Sequence, residues 1–181
     1  MHSYRASSVR YRRPRAHDGG VVWEFVRSCS GLDLNSTYFY LIMCSDFSTT
    51  TAIAELDENL VGFAAGYVPP ARPDTLFVWQ IATAPAMRNQ GIGLGLLHEV
   101  LGRPESMELR FLEATVTPSN TASKKLFGAF ARQSGAILES GPARFSATDF
   151  LPTKHEAEEW IRIGPLTRVE HSGTRGAITD R

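Results

Sequence analysis

Between a strand-like apolar run, Phe77-Val78-Trp79-Gln80-Ile81-Ala82-Thr83, and a leucine-rich helical pattern lies Arg88-Asn89-Gln90-Gly91-Ile92-Gly93. Bare glycines at 91 and 93 let backbone N–H groups of a first helical turn approach an anion, and the helix dipole favours negative charge there. The chemistry on offer is therefore the cradling of a phosphorylated group. The plainer alternative is that the same glycines only let the helix start pack closely on the strand before it.

Two nucleotide motifs compete for this stretch. A Walker loop requires Lys-Ser or Lys-Thr after its second glycine, but Leu94 and Gly95 follow Gly93. A dinucleotide fingerprint wants Gly or Ala where Leu96 stands and begins directly at the strand end, whereas this loop starts several residues past Thr83. Glu113 stands at a spacing that imitates the ribose-binding acid, so that alternative keeps some weight.

The elements that must position the loop follow from periodicity. Residues 8–13 alternate as a strand ended by Pro14, and Asp18 is placed to N-cap a helix through Val22, Phe25, Val26 and Cys29, closed by Gly31. Ser36 caps a second helix through Tyr38, Leu41 and Ile42. Strands follow at 50–56, 60–68 and 76–83; their short connections make them antiparallel neighbours. A helix at 91–102, a strand at 110–117 and a helix at 119–132 come next. A strand, a crossover helix and another strand make the last pair parallel. A strand at 136–139, a polar loop over 141–154 and a strand at 156–163 complete the expected mixed α/β sheet. Residues 1–7 read as a flexible start, 8–166 as one domain, and 167–181 as a disordered tail.

Composition narrows the function. The chain has 181 residues, 43% hydrophobic and 21% charged, with 19 basic and 19 acidic side chains. That balance suits a globular protein and gives no bulk field to attract nucleic acid or an anionic membrane, so neither is expected as a partner. Arg5, Arg10, Arg12, Arg13 and Arg15 crowd the first fifteen residues; a solvated arm is favoured over a binding arm. Cys29 and Cys44 follow no metal or redox spacing, so buried free thiols and no metal are expected. No signal peptide or run of eighteen apolar residues is present, and a cytoplasmic location is expected.

Arg88-x-x-Gly91-x-Gly93 after a strand and Pro85, set in this order of elements, resembles the acetyl-CoA loop of the GNAT family of N-acetyltransferases over about residues 8–163. The resemblance implies a GNAT-type sheet whose central strand splays from its parallel neighbour. It implies Ile81 and Thr83 beside pantetheine, Arg88, Asn89, Gln90, Gly91, Ile92 and Gly93 at the pyrophosphate, and Asn120 at the cofactor. Four further blocks are similar to the branch of the family that acetylates the N4 amine of L-2,4-diaminobutyrate in ectoine biosynthesis. They are Leu32-Asp33-Leu34-Asn35-Ser36 with Tyr38; Phe77-Val78-Trp79-Gln80; Glu113-Ala114-Thr115-Val116-Thr117-Pro118-Ser119-Asn120; and His155-Glu156 with Arg162-Ile163. This resemblance implies a homodimer, with Asp33, Tyr38, Trp79, Glu113, Thr115 and His155 at the acceptor.

Such an acceptor carries two ammonium groups and one carboxylate, so its pocket needs anionic partners, donors and walls. Asp33, Glu113 and Glu158 are candidate partners; Tyr38, Trp79 and Trp160 are candidate walls. Each has a duller role available: Asp33 as a turn residue, Glu113 paired with an arginine, Trp79 as core, His155 as an exposed loop residue. The ammonium must lose a proton before attacking a thioester, and Glu158 is the candidate base. Many family members place a tyrosine acid where Phe127 stands here, and a thiol leaving group with a pKa of about 8.5 needs little help. An acceptor other than diaminobutyrate, or a non-catalytic acyl-CoA sensor, would use the same loop.

Overall fold

The computed structural model describes residues 8–29 and 31–167. The expected flexible start at 1–7 lies outside them, as does the expected tail except for Thr167. Among the described residues, seven strands form a single mixed sheet in the order β1-β2-β3-β4-β5-β7-β6, with β1 Arg10–Arg12, β2 Ala52–Leu56, β3 Asn59–Tyr67, β4 Thr75–Thr83, β5 Phe111–Val116, β6 Ile137–Phe145 and β7 Glu158–Gly164. The helices are α1 Asp18–Ser28, α2 Thr37–Ser45, α3 Ile92–Leu101 and α4 Thr121–Gln133. The expected antiparallel run β2-β3-β4 and the parallel pair β4-β5 are both present.

Strand alternation distributes the core to two layers. Ile53, Phe63, Ala65 and Ala82 face α1 and α2, where Val22, Val26, Tyr40 and Met43 cover them. Ala52, Ala54, Leu76, Leu112 and Ala114 point the other way and meet Ile92, Leu96 and Val100 of α3 and Phe127 and Phe130 of α4. Helices on both faces leave β3 buried along most of its length, which is why it reads as a nearly unbroken apolar run. Ser36 caps α2 as expected: its hydroxyl accepts from the Phe39 N–H, a contact that stabilises a helix start by about 1 kcal/mol.

Two local expectations are corrected. Asp18 is the first residue of α1, with His17 at the N-cap; its carboxylate accepts from the Arg15 N–H and from both terminal nitrogens of Arg12, so the ion pair claims the side chain a cap would use. The polar loop expected from 141 begins later, because β6 continues to Phe145 and a 3-10 turn follows at Ala147–Phe150. Both cysteines are free and buried, Cys44 within α2 and Cys29 just past the end of α1.

Candidate active site

Strand β4 is the axis of the site. It pairs with β3 as far as Thr83, but with β5 only from Thr75 to Val78. The β3 register steps from Ala65↔Gln80 to Gly66↔Val78, so Trp79 is an extra, bulged residue at the point where β5 departs. Residues 79–83 therefore lie beyond the parallel ladder, and backbone groups on that side of β4 are left for another partner.

A cavity of about 660 Å³ occupies the opening. Ile81 and Thr83 form one wall, Arg88, Asn89, Gly91, Ile92 and Gly93 the end, and Asn120, Ser123, Lys125 and Leu126 the far wall. The loop reaches α3 through left-handed backbone at Asn89 (φ 62°) and Gly91 (φ 79°), the latter serving as N-cap. A side chain at Gly91 would meet nothing within 4 Å, and Gly91, Ile92 and Gly93 at the start of α3 line the cavity. A Cβ on Gly93 would lie 3.0 Å from the Leu126 side chain, so this glycine also serves close helix packing. The two sequence-level readings thus divide between the two positions. A helix N-terminus and an apolar wall fit a long ligand with a phosphorylated end, as coenzyme A is. Asn120 lines the cavity but also caps α4, accepting from the Ser123 N–H, while Gln90 turns its amide back to the Ala86 carbonyl.

Beside the middle of β4, at the Trp79 bulge, residues from distant parts of the chain converge. His155 Nδ1 lies 2.6 Å from the Glu156 carbonyl, which requires that nitrogen to donate. Its Nε2 lies 3.2 Å from Asp33 Oδ2 and 3.7 Å from Glu158 Oε1. The bond to Glu156 first, then Asp33, raises the His155 pKa above its ordinary value and favours imidazolium. Phe150 stacks on the ring at 4.2 Å. Glu158 moves upward too: burial disfavours its charge more than the Thr115 hydroxyl and His155 favour it. Glu158 Oε2 is buried without a hydrogen-bond partner among the described residues. A carboxylate with a raised pKa and an unfilled acceptor is suited to take a proton.

Gln80 fixes this arrangement. Its amide nitrogen donates to the Asp33 carbonyl at 2.8 Å, and its oxygen accepts from the Tyr40 hydroxyl at 3.0 Å, which ties the segment before α2 to β4. Trp79 is half exposed and lies against Phe39 and Tyr67, and Tyr38 is exposed in the first turn of α2. Asp33, Thr115, His155 and Glu158 are thus brought together. Glu113 is not: its buried carboxylate accepts from Arg162 at 2.8 Å, with Arg72 at 3.2 Å and Arg144 at 3.9 Å.

The acetyltransferase (GNAT) family profile matches residues 21–131. The chain belongs to the GNAT acetyltransferase family. It is 38% identical over 158 residues to an L-2,4-diaminobutyric acid acetyltransferase of Virgibacillus pantothenticus, covering 87% of this chain and 99% of that protein. A protein of the same name from Halomonas elongata is 40% identical over 164 residues, 90% of this chain and 84% of that one. A diaminobutyrate acetyltransferase of Paenibacillus lautus, solved with its substrate L-2,4-diaminobutyric acid and coenzyme A, superposes with a TM-score of 0.85 at 39% identity, covering 91% of this chain and 99% of that one. The ribosomal-protein-S18-alanine N-acetyltransferase of Escherichia coli, at 16% identity and a TM-score of 0.63, covers 91% and 98% and shares the GNAT fold.

Several GNAT cleft residues escaped the sequence reading. Ala122, Lys125, Ala129 and Arg132 all line the cavity from α4. Their spacing of i, i+3, i+7, i+10 is one helical face, small and basic, and would have identified them. Gln80 lies in the Phe77–Gln80 block already tied to the acceptor branch, but its partner Tyr40 gave no such signal, because a buried amide–phenol pair 40 residues apart leaves no local pattern. Phe127 is buried and supplies no hydroxyl.

Proposed function

We propose that this protein transfers the acetyl group of acetyl-CoA to the N4 amine of L-2,4-diaminobutyrate, giving N4-acetyl-L-2,4-diaminobutyrate as a step toward ectoine. The observation that carries this reading is the convergence of Asp33, Thr115, His155 and Glu158 beside the point where β4 leaves β5. The relatives named above give the acceptor its identity, and the geometry gives it a chemistry.

Acetyl-CoA lies along the cavity with its pyrophosphate on the first turn of α3 and its pantetheine arm beside residues 79–83. The acceptor enters from the Asp33–His155 side, with Trp79 and Tyr38 as walls. Its N4 ammonium passes a proton to Glu158, whose raised pKa brings it nearer to the working pH than an ordinary glutamate. The free amine attacks the thioester carbon, and an N–H of β4 near the bulge holds the tetrahedral oxyanion, a contact worth about 3 kcal/mol in comparable sites. Collapse expels the coenzyme A thiolate, which at a pKa of about 8.5 needs no side-chain acid; the second N4 proton leaves to solvent as the amide forms and Glu158 then returns its proton to solvent. Asp33 holds an ammonium group and His155 orients Asp33.

The enzyme works as a cytoplasmic homodimer built from one domain over 8–166, and its product serves osmotic adaptation. Exposed Ile137, Leu138 and Phe145 on edge strand β6 support association, and light scattering in solution tests it. Among the described residues, no helix is long and apolar enough to cross a membrane. The decisive experiment offers the protein acetyl-CoA with a panel of small amines, follows thiol release and maps the product. Preference for L-2,4-diaminobutyrate with the acetyl group on N4 is expected; turnover of another amine in preference, or binding without turnover, overturns the assignment.

A further inference from the structure

The sheet face that carries Thr115 and Glu158 continues into a second pocket. Glu113 precedes Thr115 by two residues on β5, and Arg162 stands opposite Glu113 on β7. Both side chains therefore project to the Thr115 side of the sheet. Arg72, from the turn before β4, and Arg144, from β6, close the pocket, which has a volume of about 500 Å³ with Trp160, Pro142 and Ala143 completing its lining.

Charge is unbalanced here. Three guanidinium groups share the single carboxylate of Glu113, which leaves two positive charges uncompensated among the described residues. Among the described residues, only Arg162 makes a hydrogen bond to it. Arg72 approaches as an ion pair without hydrogen-bond geometry, and its Nε and Nη2 are buried without hydrogen-bond partners among the described residues. Arg144 lies over the Phe77 and Phe145 rings and likewise donates no hydrogen bond among the described residues. Glu139, opposite Arg162 on β6, is exposed and forms no ion pair among the described residues. Guanidinium groups gathered with this few acceptors match a planar oxyanion, for which their fork geometry is suited.

We propose that Arg72, Arg144 and Arg162 form a carboxylate pocket that holds the α-carboxylate of the acceptor amino acid and so presents its N4 amine to Glu158. This rests on the acceptor being L-2,4-diaminobutyrate. The spacing agrees. Glu113 and Thr115 are about 7 Å apart along the strand, and N4 lies about 5 Å from the carboxylate carbon in the extended substrate. With a hydrogen-bond length at each end, one molecule spans from the Thr115–Glu158 level to the arginines. The nearer α-amine is then held away from the thioester, which selects N4. Glu113 keeps the arginines in place and limits their repulsion, a positioning role in place of direct contact with the reacting amine.

The test compares L-2,4-diaminobutyrate with 1,3-diaminopropane, which is the same molecule without its carboxylate. In the full-length enzyme, Arg144→Gln and Arg72→Gln are expected to reduce the kcat/KM preference for diaminobutyrate at least tenfold, mainly through its KM, while the KM for acetyl-CoA stays within twofold and reports the fold. Arg144→Lys restores part of the preference. Formate is expected to compete with diaminobutyrate in the wild type and to leave 1,3-diaminopropane turnover unaffected. An unchanged preference, or equal loss on both amines, overturns the proposal. Formate binding that leaves the diaminobutyrate KM unaltered marks a site for free anions and also overturns it. If the wild type acetylates neither amine, the acceptor assignment itself has failed and the pocket assignment falls with it.

Discussion

At the proposed cofactor end, the lining comes largely from one short run, residues 85–93, that passes from a strand end into a helix. At the acceptor end, Asp33, Thr115, His155 and Glu158 come from a loop before α2, from β5, from the β6–β7 connection and from β7. The first end is held by covalent neighbours, and its geometry is set by backbone conformation at Asn89 and Gly91. The second is held by tertiary contacts, chiefly the Gln80 amide between Asp33 and Tyr40. A local device can remain constant while a dispersed one is altered residue by residue, so on the proposed assignment the two ends would divide cofactor use from acceptor choice.

That division predicts separable defects. The largest belongs to Glu158→Gln, which keeps the shape and removes the base: kcat should fall by roughly 10²–10⁴ with acetyl-CoA affinity retained. The wild-type acidic limb of kcat/KM should lie above the ordinary glutamate value of about 4.3, in the direction that burial drives this group. A rate profile with its acidic limb at or below that value would remove Glu158 from the role. Next comes Gly91→Asp. Gly91 holds a left-handed φ of 79°, so aspartate is strained there and the melting temperature should drop by the equivalent of about 1–2 kcal/mol. The aspartate charge opposes the pyrophosphate, and the acetyl-CoA KM should rise about tenfold or more while the amine KM holds. A matching rise in both constants would dissolve the separation.

Asp33→Ala tests the dispersed end. The amine KM should rise about tenfold, the scale of one charge-assisted hydrogen bond of roughly 1.5–3 kcal/mol, and titration calorimetry should show acetyl-CoA binding unaffected. The smallest effect is on stability. His155 has a raised folded pKa, so its ion pair with Asp33 contributes fully below the unfolded value of about 6.5 and is lost as pH rises through the folded value. The melting temperature of wild type minus His155→Gln should therefore be largest near pH 6 and shrink toward pH 9, by the few tenths of a kcal/mol typical of exposed pairs. A difference independent of pH would assign His155 to packing against Phe150 alone.

The same contrast explains what was legible in the sequence. The glycine loop, the Ser36 cap, the antiparallel β2-β3-β4 run and the β4-α3-β5 crossover are local signals, and each could be read from a short window. The extension of β6 could not. Gly141-Pro142 reads as a turn, yet β6 is an edge strand where proline leaves no ladder bond unmade. Register irregularities between Ser140 and Phe145 absorb the disruption, and Gly141 sits where a Cβ would press within 3.1 Å of Trp160. Asp18 departs from its capping pattern for a related reason: Arg12, brought alongside by β1, offers its carboxylate a stronger partner. At the candidate site, the convergence of Asp33, His155 and Glu158 depended on resemblance, since nothing in their spacing foretells 3–4 Å separations. The arginines around Glu113 are spread from 72 to 162 and were invisible as a group.

The early end of the β4–β5 ladder has a consequence for motion. Past Val78 the sheet lacks a rung on one side, and amides there are held by β3 or by whatever fills the gap. A pantetheine arm laid along residues 79–83 would act as a removable strand, so hydrogen exchange in this segment should slow when coenzyme A binds and recover when it leaves. The enzyme would then be most rigid while loaded and would loosen as product departs, with turnover written into the breathing of one half-paired strand.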